Sequence, residues 1–233
     1  MKEKKWYVFK YDMWIMNIFA LFVAIFIGII SILIDKEFFT NSIKYVFGDR
    51  IIGMFCLLCI FYFVIHEILH SIAYCIYGAK FKNIVYGIAL EKGVFYCLCK
   101  ENISKKNILN SLFFPLFYMG IVTYIISFII NSPILLILSI FNIVGCCGDI
   151  LAFLFLVKLD KNIKFSELDD ATSFAVYSDK DISKKKSLGI KYIETKDKIE
   201  RKDLIKIKIS KWSYIILFIA FVLYMMYIEV ELF

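Results

Sequence analysis

The sequence predicts an all-α polytopic membrane protein with about five transmembrane helices and a small cytoplasmic β-hairpin between helices two and three. Of the 233 residues, 61% are hydrophobic, and the mean hydropathy is +0.75. A water-soluble domain of this size needs less apolar material. Several apolar runs approach or exceed the roughly 20 residues that span the hydrocarbon core as a helix. Lys and Arg are concentrated in alternate segments between these runs, which is typical of loops on one side of a membrane.

Five apolar runs are the predicted spans. They are residues 14–34, 51–77, 109–130, 134–157 and 212–228. The last run is short, and it extends to Val230 if Glu229 lies near the membrane interface. The first run follows lysines, as a signal peptide would. It is longer than a typical signal h-region and has no small-residue cleavage site before Asp35, so we expect a retained anchor.

The distribution of basic residues predicts the orientation. Of the 28 Lys and Arg residues, 25 lie before residue 14, in the 78–108 loop or in the 158–211 segment. Because cationic loops stay in the cytoplasm, we expect a multi-pass cell-membrane protein with the N-terminus cytoplasmic and the C-terminus outside. Residues 1–233 form one predicted domain, within which 158–211 is a cytoplasmic loop segment. The net charge of +7 then indicates contact with anionic lipid headgroups of the bilayer, and we expect no nucleic-acid partner.

His66-Glu67-Ile68-Leu69-His70 is the most informative motif, because it holds the only two histidines of the chain. On a helix, residues four apart project from nearly the same side, about 6 Å apart along the axis. Both rings can therefore bind one metal ion, usually zinc. Glu67 lies between them, where it can take a proton from water during peptide hydrolysis. A pair of buried, hydrogen-bonded histidines in a helix bundle is the structural alternative.

Asp149 is the predicted third ligand of a single Zn²⁺ ion. Apart from the histidine motif, it is the only Asp, Glu, Lys, Arg or His in the five runs. His66 and Asp149 each lie fifteen residues into spans that run in the same direction, so both are expected about 22 Å below the outer boundary. A buried charge costs about 2.5–3.5 kcal/mol at mid-span. A cation bound by two neutral rings and one carboxylate offsets that cost and leaves a fourth position for water.

The fourth span carries a polar, small-residue stripe at Asn142, Gly145 and Asp149. Such a stripe lets another helix approach closely. Asn142 could hydrogen-bond a ligand or a substrate backbone, or it could simply bond to a neighbouring helix. Cys146 is a rival metal ligand, whereas Cys147 lies on a different helical face from Asp149. We expect most of the seven cysteines to be packing residues.

The order of these motifs resembles a known family. The histidine motif followed by Gly78, by Pro115 in the third span and by Asn142 and Gly148-Asp149 in the fourth resembles the family named Putative zincin peptidase. These are small bacterial membrane proteins akin to the site-2 proteases, and the similarity covers about residues 51–170. The resemblance implies that His66, His70 and Asp149 are zinc ligands and that Glu67 is the catalytic residue.

Two short segments that face the cytoplasm could serve the same site. Residues 84–90 and 94–98 are β-prone and are separated by Glu91-Lys92-Gly93, which predicts a hairpin. Its open edge could hold a substrate strand through backbone hydrogen bonds, or the hairpin could be an ordinary connection on the membrane surface. The acidic cluster at 166–170 could be a solvated loop or could line the entry of water to the site.

The function predicted from these features is that of a membrane-embedded zinc metalloprotease, which cleaves a peptide bond in or near the membrane by metal-activated water. Its partners would be a peptide or membrane-protein substrate and the lipid bilayer; no motif specifies an oligomeric state. The alternative is a non-catalytic zinc-binding membrane protein with a binding, transport or immunity-type role. A structural site of that kind would be closed by a fourth protein ligand, for which Cys146 is the first candidate.

Overall fold

The computed structural model describes residues 4–48, 52–89, 94–168, 172–185, 187–199 and 208–209. The helices are α1 (Met13–Val46), α2 (Ile52–Ile76), α3 (Lys105–Pro115), α4 (Thr123–Ile129), α5 (Pro133–Gly145) and α6 (Cys147–Val157), with a 3-10 turn at Phe81–Asn83 and a π-helical turn at Leu116–Val122. The strands are β1 (Lys5–Tyr11), β2 (Ile84–Ala89), β3 (Val94–Cys99), β4 (Ile103–Ser104), β5 (Lys164–Glu167), β6 (Ser173–Ser178), β7 (Ile190–Lys196) and β8 (Lys208–Ile209). The predicted span at 212–228 lies outside the described residues.

Helices occupy the positions of the first four predicted spans. Met13–Val46, Phe55–Ile76 and Lys105–Ile129 are long and apolar enough to cross a membrane, and α5 with α6 makes a fourth such stretch that is bent by 44°. The first of them is interrupted at Asp35, which has the extended angles φ −154° and ψ 99°. The Asp35 carboxylate accepts the Phe38 N–H at 2.9 Å and so begins a second helical segment. The apolar run thus ends where the sequence predicted.

The all-α fold prediction is wrong, because the described residues also form two antiparallel sheets. The larger sheet has the strand order β4-β5-β6-β1-β7 and the smaller has the order β3-β2-β8. Strand β1 lies inside the larger sheet and pairs with both β6 and β7. Its aromatic and β-branched residues favour a strand. A search for apolar runs of about 20 residues passes over strands of this length, which is why the sequence predicts no strand before residue 14.

The predicted hairpin between the second and third spans is confirmed. Strands β2 and β3 pair in antiparallel register from Ile84–Cys99 to Ala89–Val94. The turn at 91–93 lies outside the described residues. Strand β8 pairs with β2 on the side away from β3, so within the described part of the chain β3 is an outer strand of this sheet.

The larger sheet packs against the helices through aromatic side chains. Phe9 of β1, Phe155 of α6 and Phe174 of β6 are each at most 2% exposed, and the ring centroids of Phe9 and Phe155 are 4.7 Å apart. Asp12 fixes the junction between β1 and α1. One of its oxygens accepts the Trp14 N–H at 3.1 Å, and the other lies 2.6 Å from Lys191 Nζ on β7. The sheet therefore lies against the ends of the apolar helices, beside the cavity described next.

Candidate metal centre

The face of α2 that carries the histidine motif has one polar side chain per turn, and each is bonded to another part of the fold. The bonds are Tyr62 Oη to the Met119 carbonyl at 2.7 Å, His66 Nδ1 to Asn142 Oδ1 at 2.9 Å, His70 Nδ1 to the Ser111 carbonyl at 3.1 Å and Tyr74 Oη to Glu167 Oε1 at 2.7 Å. Spacing by four residues aligns these groups on one helical face. The face is thereby held at four successive turns.

These bonds determine which nitrogen of each histidine carries the proton. The Pro115 carbonyl can only accept, and it lies 3.1 Å from Asn142 Nδ2, so the Asn142 amide turns its oxygen toward His66. His66 Nδ1 must then donate. His70 Nδ1 must also donate, because its partner is the Ser111 carbonyl. In the neutral rings, both Nε2 atoms are left with bare lone pairs.

Those two lone pairs and one carboxylate oxygen converge. The Nε2 atoms of His66 and His70 are 3.1 Å apart, and Asp149 Oδ2 lies 3.5 Å from the first and 3.4 Å from the second. Three donors bound to tetrahedral zinc at about 2.0–2.1 Å stand roughly 3.3–3.4 Å from one another. Without a cation, two lone pairs and a carboxylate in this arrangement repel. The three residues therefore fit a zinc ion in both spacing and chemistry, and they could hold one.

The bend between α5 and α6 places Asp149 in this group. The sequence assigned Asn142, Gly145 and Asp149 to one continuous helical face, but the helix breaks at Cys146. Asn142 consequently lies on α5, and Asp149 lies in the first turn of α6.

Close packing of α5 against the π-helical turn depends on a glycine. A Cβ on Gly120 would lie 2.9 Å from Ile143 Cγ1 and 3.5 Å from Asn142 Nδ2.

Asn142 and Cys146 both lie behind His66. Asn142 is 2% exposed and joins His66 on α2 to Pro115 on α3, so its contacts include both a predicted ligand and a neighbouring helix. Cys146 Sγ is 3.9 Å from His66 Nδ1, the ring nitrogen that faces away from the convergence point. Among the described residues, the group of converging ligand atoms comprises His66, His70 and Asp149, without a cysteine.

A cavity of about 250 Å³ opens beside these residues. Glu67 lines it together with all three converging residues. The Glu67 carboxylate accepts a hydrogen bond from the backbone N–H of Cys97 on β3, so the outer strand of the hairpin borders the site. The structure thus brings the four residues of the predicted site to one cavity.

Glu167 is a cavity residue that the sequence did not single out as part of the site. It belongs to the acidic cluster at 166–170, which the sequence predicted to be either a solvated loop or a lining of the water entry. Its carboxylate accepts hydrogen bonds from Tyr74 Oη and from the Cys99 N–H, and it lines the cavity. Burial raises the pKa of Glu167 to about 7. Ser111 was also missed, because it contributes a backbone carbonyl, which any residue type could supply.

Comparison with known proteins gives one finding. Residues 59–164 match the sequence model of the family described as Putative zincin peptidase. Neither the curated proteins nor the solved structures gave a match. The matched region contains the histidine motif, the hairpin, Asn142 and Asp149. Residues 59–164, a little under half of the chain, are thus similar to the Putative zincin peptidase family.

Proposed function

We propose that this protein is a membrane-embedded zinc metalloprotease that cleaves a peptide bond in or near the membrane. The observation that carries the proposal is the convergence of His66 Nε2, His70 Nε2 and Asp149 Oδ2 within 3.5 Å of one another, in a cavity that Glu67 also lines. The similarity of residues 59–164 to the Putative zincin peptidase family supports the reaction class.

Each residue of the candidate site has a separate role in the proposed hydrolysis. Zinc held by the three donors would supply Lewis acidity for attack on a peptide carbonyl. Glu67 takes a proton from the attacking water and later gives it to the leaving amine. Asn142 and the Ser111 carbonyl hold the imidazoles in the tautomer that leaves Nε2 free for the ion.

Sheet topology supports insertion in the membrane with four crossings before residue 164. Strand β1 precedes the first apolar helix and β5 follows α6, yet both belong to the same sheet. They must lie on one side of a bilayer, so the number of crossings between them is even. Counting α5 and α6 as one bent span gives four, and it puts the hairpin after α2 on that side as well. These segments are the Lys- and Arg-rich ones, which favours a cytoplasmic location for them. With a fifth span at 212–228, the C-terminus would lie outside.

The position of Cys146 argues against the non-catalytic alternative. A closed structural site needs a fourth protein ligand, and Cys146 was the candidate. Its sulfur contacts the Nδ1 side of His66, so it cannot reach an ion on Nε2 without rotation of the ring. Among the described residues the group has three candidate ligands, and a fourth coordination position left for water favours an enzyme.

The test combines two variants with comparative proteomics of membrane peptides. Glu67→Gln keeps the shape of the side chain but removes the proton acceptor, so zinc should stay bound at one ion per chain while cleavage products disappear. His66→Ala should lose both zinc and products. Glu101→Gln is the matched control, since Glu101 also accepts a backbone N–H, from Lys80 at 2.9 Å, and is not among the residues lining the site cavity.

The outcomes separate the two parts of the proposal. Products that are present with wild type and with Glu101→Gln, but absent with Glu67→Gln, support hydrolysis by this chain. Full turnover by Glu67→Gln on a verified substrate would refute the role of Glu67. Wild-type protein purified in zinc-replete detergent without stoichiometric zinc would refute the metal site itself.

A further inference from the structure

The outer edge of β3 is occupied by two carboxylates. Residues two apart on a strand point their N–H groups the same way. The Cys99 N–H donates to Glu167 and not to β2, so the N–H groups of Cys97 and Cys99 both point away from β2. The Cys97 N–H donates to Glu67 and the Cys99 N–H donates to Glu167 Oε2 at 2.6 Å. A peptide strand added to this edge would place its carbonyls where these carboxylate oxygens now lie.

We propose that Glu167 is a specificity-determining residue that ends the peptide-binding edge of β3 between Cys97 and Cys99. The inference rests on the proposed function. It limits how many substrate residues can pair with β3 between the scissile peptide bond and Cys99. A substrate carbonyl replaces Glu67 at Cys97, whereas the Cys99 amide stays covered by Glu167.

The asymmetry between the two carboxylates comes from their anchors. Glu67 lies on α2 between the predicted ligands, and its proposed reaction requires it to turn from the strand toward water. Glu167 is fixed by a second bond, since its Oε1 accepts from Tyr74 Oη at 2.7 Å while Oε2 accepts from Cys99. Two hydrogen bonds of this kind in a partly buried cavity hold a carboxylate against displacement by a neutral carbonyl.

The hydrogen bond from Tyr74 also restricts movement of Glu167. Tyr74 lies one turn beyond His70 on α2, and the two rings are stacked with centroids 6.4 Å apart. The bond from Tyr74 to Glu167 therefore ties the end of β5 to the turn of α2 next to the ligands. The far end of the edge is closed by Glu167 and Tyr74, whereas His70 itself is oriented by the Ser111 carbonyl.

The test uses hydroxamates as metal-binding probes on the zinc-loaded protein in detergent. Acetohydroxamate reports binding to the ion alone. Leucine peptide hydroxamates of one to four residues, extended in two series on either side of the hydroxamate, report pairing with the strand. Affinities are measured by calorimetry for wild type, Glu167→Ala, Glu167→Gln and the control Glu101→Ala.

We expect acetohydroxamate to bind all four proteins equally. With wild type, each added residue should raise affinity until the peptide reaches Cys97, after which the gain stops. In Glu167→Ala, the residue that reaches Cys99 should give a further gain of about five-fold, which corresponds to about one backbone hydrogen bond. Glu167→Gln should behave like wild type, because its amide oxygen still accepts from Cys99, and Glu101→Ala should also leave the profile unchanged.

The proposal would be overturned if affinity rose with peptide length in the same way for wild type and Glu167→Ala. It would also be overturned if Glu167→Ala lost the same amount of affinity for peptides of every length. Hydrogen exchange at the Cys99 amide provides a measurement that needs no metal: Glu167→Ala should exchange faster than wild type and Glu167→Gln should not. Unchanged exchange refutes the proposal whatever the metal does. Failure of wild type to bind zinc or acetohydroxamate, with the exchange difference present, instead refutes the proposed function.

Discussion

Removal of the Asn142 amide should weaken zinc binding without removing a ligand. In the structure Asn142 Oδ1 accepts the His66 Nδ1 proton at 2.9 Å, and this bond selects the tautomer with a lone pair on Nε2. The bond strengthens when Nε2 donates to a cation, because the ring then carries more positive charge on its N–H. Asn142→Ala therefore destabilises the metal-bound state more than the metal-free state.

The expected magnitude follows from the role of such partners at metal sites. Loss of a hydrogen bond to a ligating histidine lowers metal affinity by about 10- to 100-fold, or about 1.4–2.8 kcal/mol. The Pro115 carbonyl also loses its 3.1 Å partner, which lowers the stability of the fold by about 1–3 kcal/mol. We thus expect a weaker site in a protein that still folds.

The assay is competitive titration of zinc against a chromophoric chelator in detergent. Asn107→Ala is the matched control, because Asn107 Nδ2 likewise donates to a backbone carbonyl, that of Tyr77 at 2.9 Å, away from the predicted ligands. The control should lose stability but keep zinc affinity within about two-fold of wild type. Equal affinities for Asn142→Ala and Asn107→Ala would show that the tautomer argument is wrong.

Three further predictions concern stability. Gly120→Ala should lower the free energy of unfolding by about 1–3 kcal/mol, measured by denaturant titration in detergent, because its Cβ would lie 2.9 Å from Ile143 Cγ1. Asp12→Ala should lower the melting temperature through loss of a helix cap worth about 1 kcal/mol, and an unchanged value would contradict the capping role. Burial raises the pKa of Glu167 from 4.5 to about 7, so the folded state retains a proton that the unfolded state loses in this window. The free energy of unfolding should fall as pH rises from 4.5 to about 7, by at most about 3 kcal/mol. Glu167→Gln should remove that pH dependence.

The candidate site residues could be selected from the sequence because ionisable residues are costly in an apolar environment. His66, Glu67, His70 and Asp149 stand out as the ionisable residues of long apolar runs, and the structure brings all four to one cavity. Asn142 was a candidate for hydrogen bonding, but the sequence could not reveal the other groups that contact these residues. The Ser111 carbonyl has no side-chain signal, and the role of Glu167 depends on the pairing of distant strands.

The sheets were missed for a different physical reason. Membrane spans are recognised locally, from a run of about 20 apolar residues. The larger sheet instead depends on pairing between β1 and strands beyond residue 172, and that partnership is encoded in no single window of sequence. The hairpin was found because its two strands are adjacent in the chain.

The inner position of β1 has a consequence for biogenesis. The ribosome makes β1 first, but both of its neighbours, β6 and β7, emerge only after the helices that separate them have been made. During that interval both edges of a short aromatic strand lack their final partners, which is a state prone to mispairing. Assembly of the sheet is thus coupled to completion of the helical part. In the nascent chain, β1 should become resistant to protease only after β6 and β7 have been made.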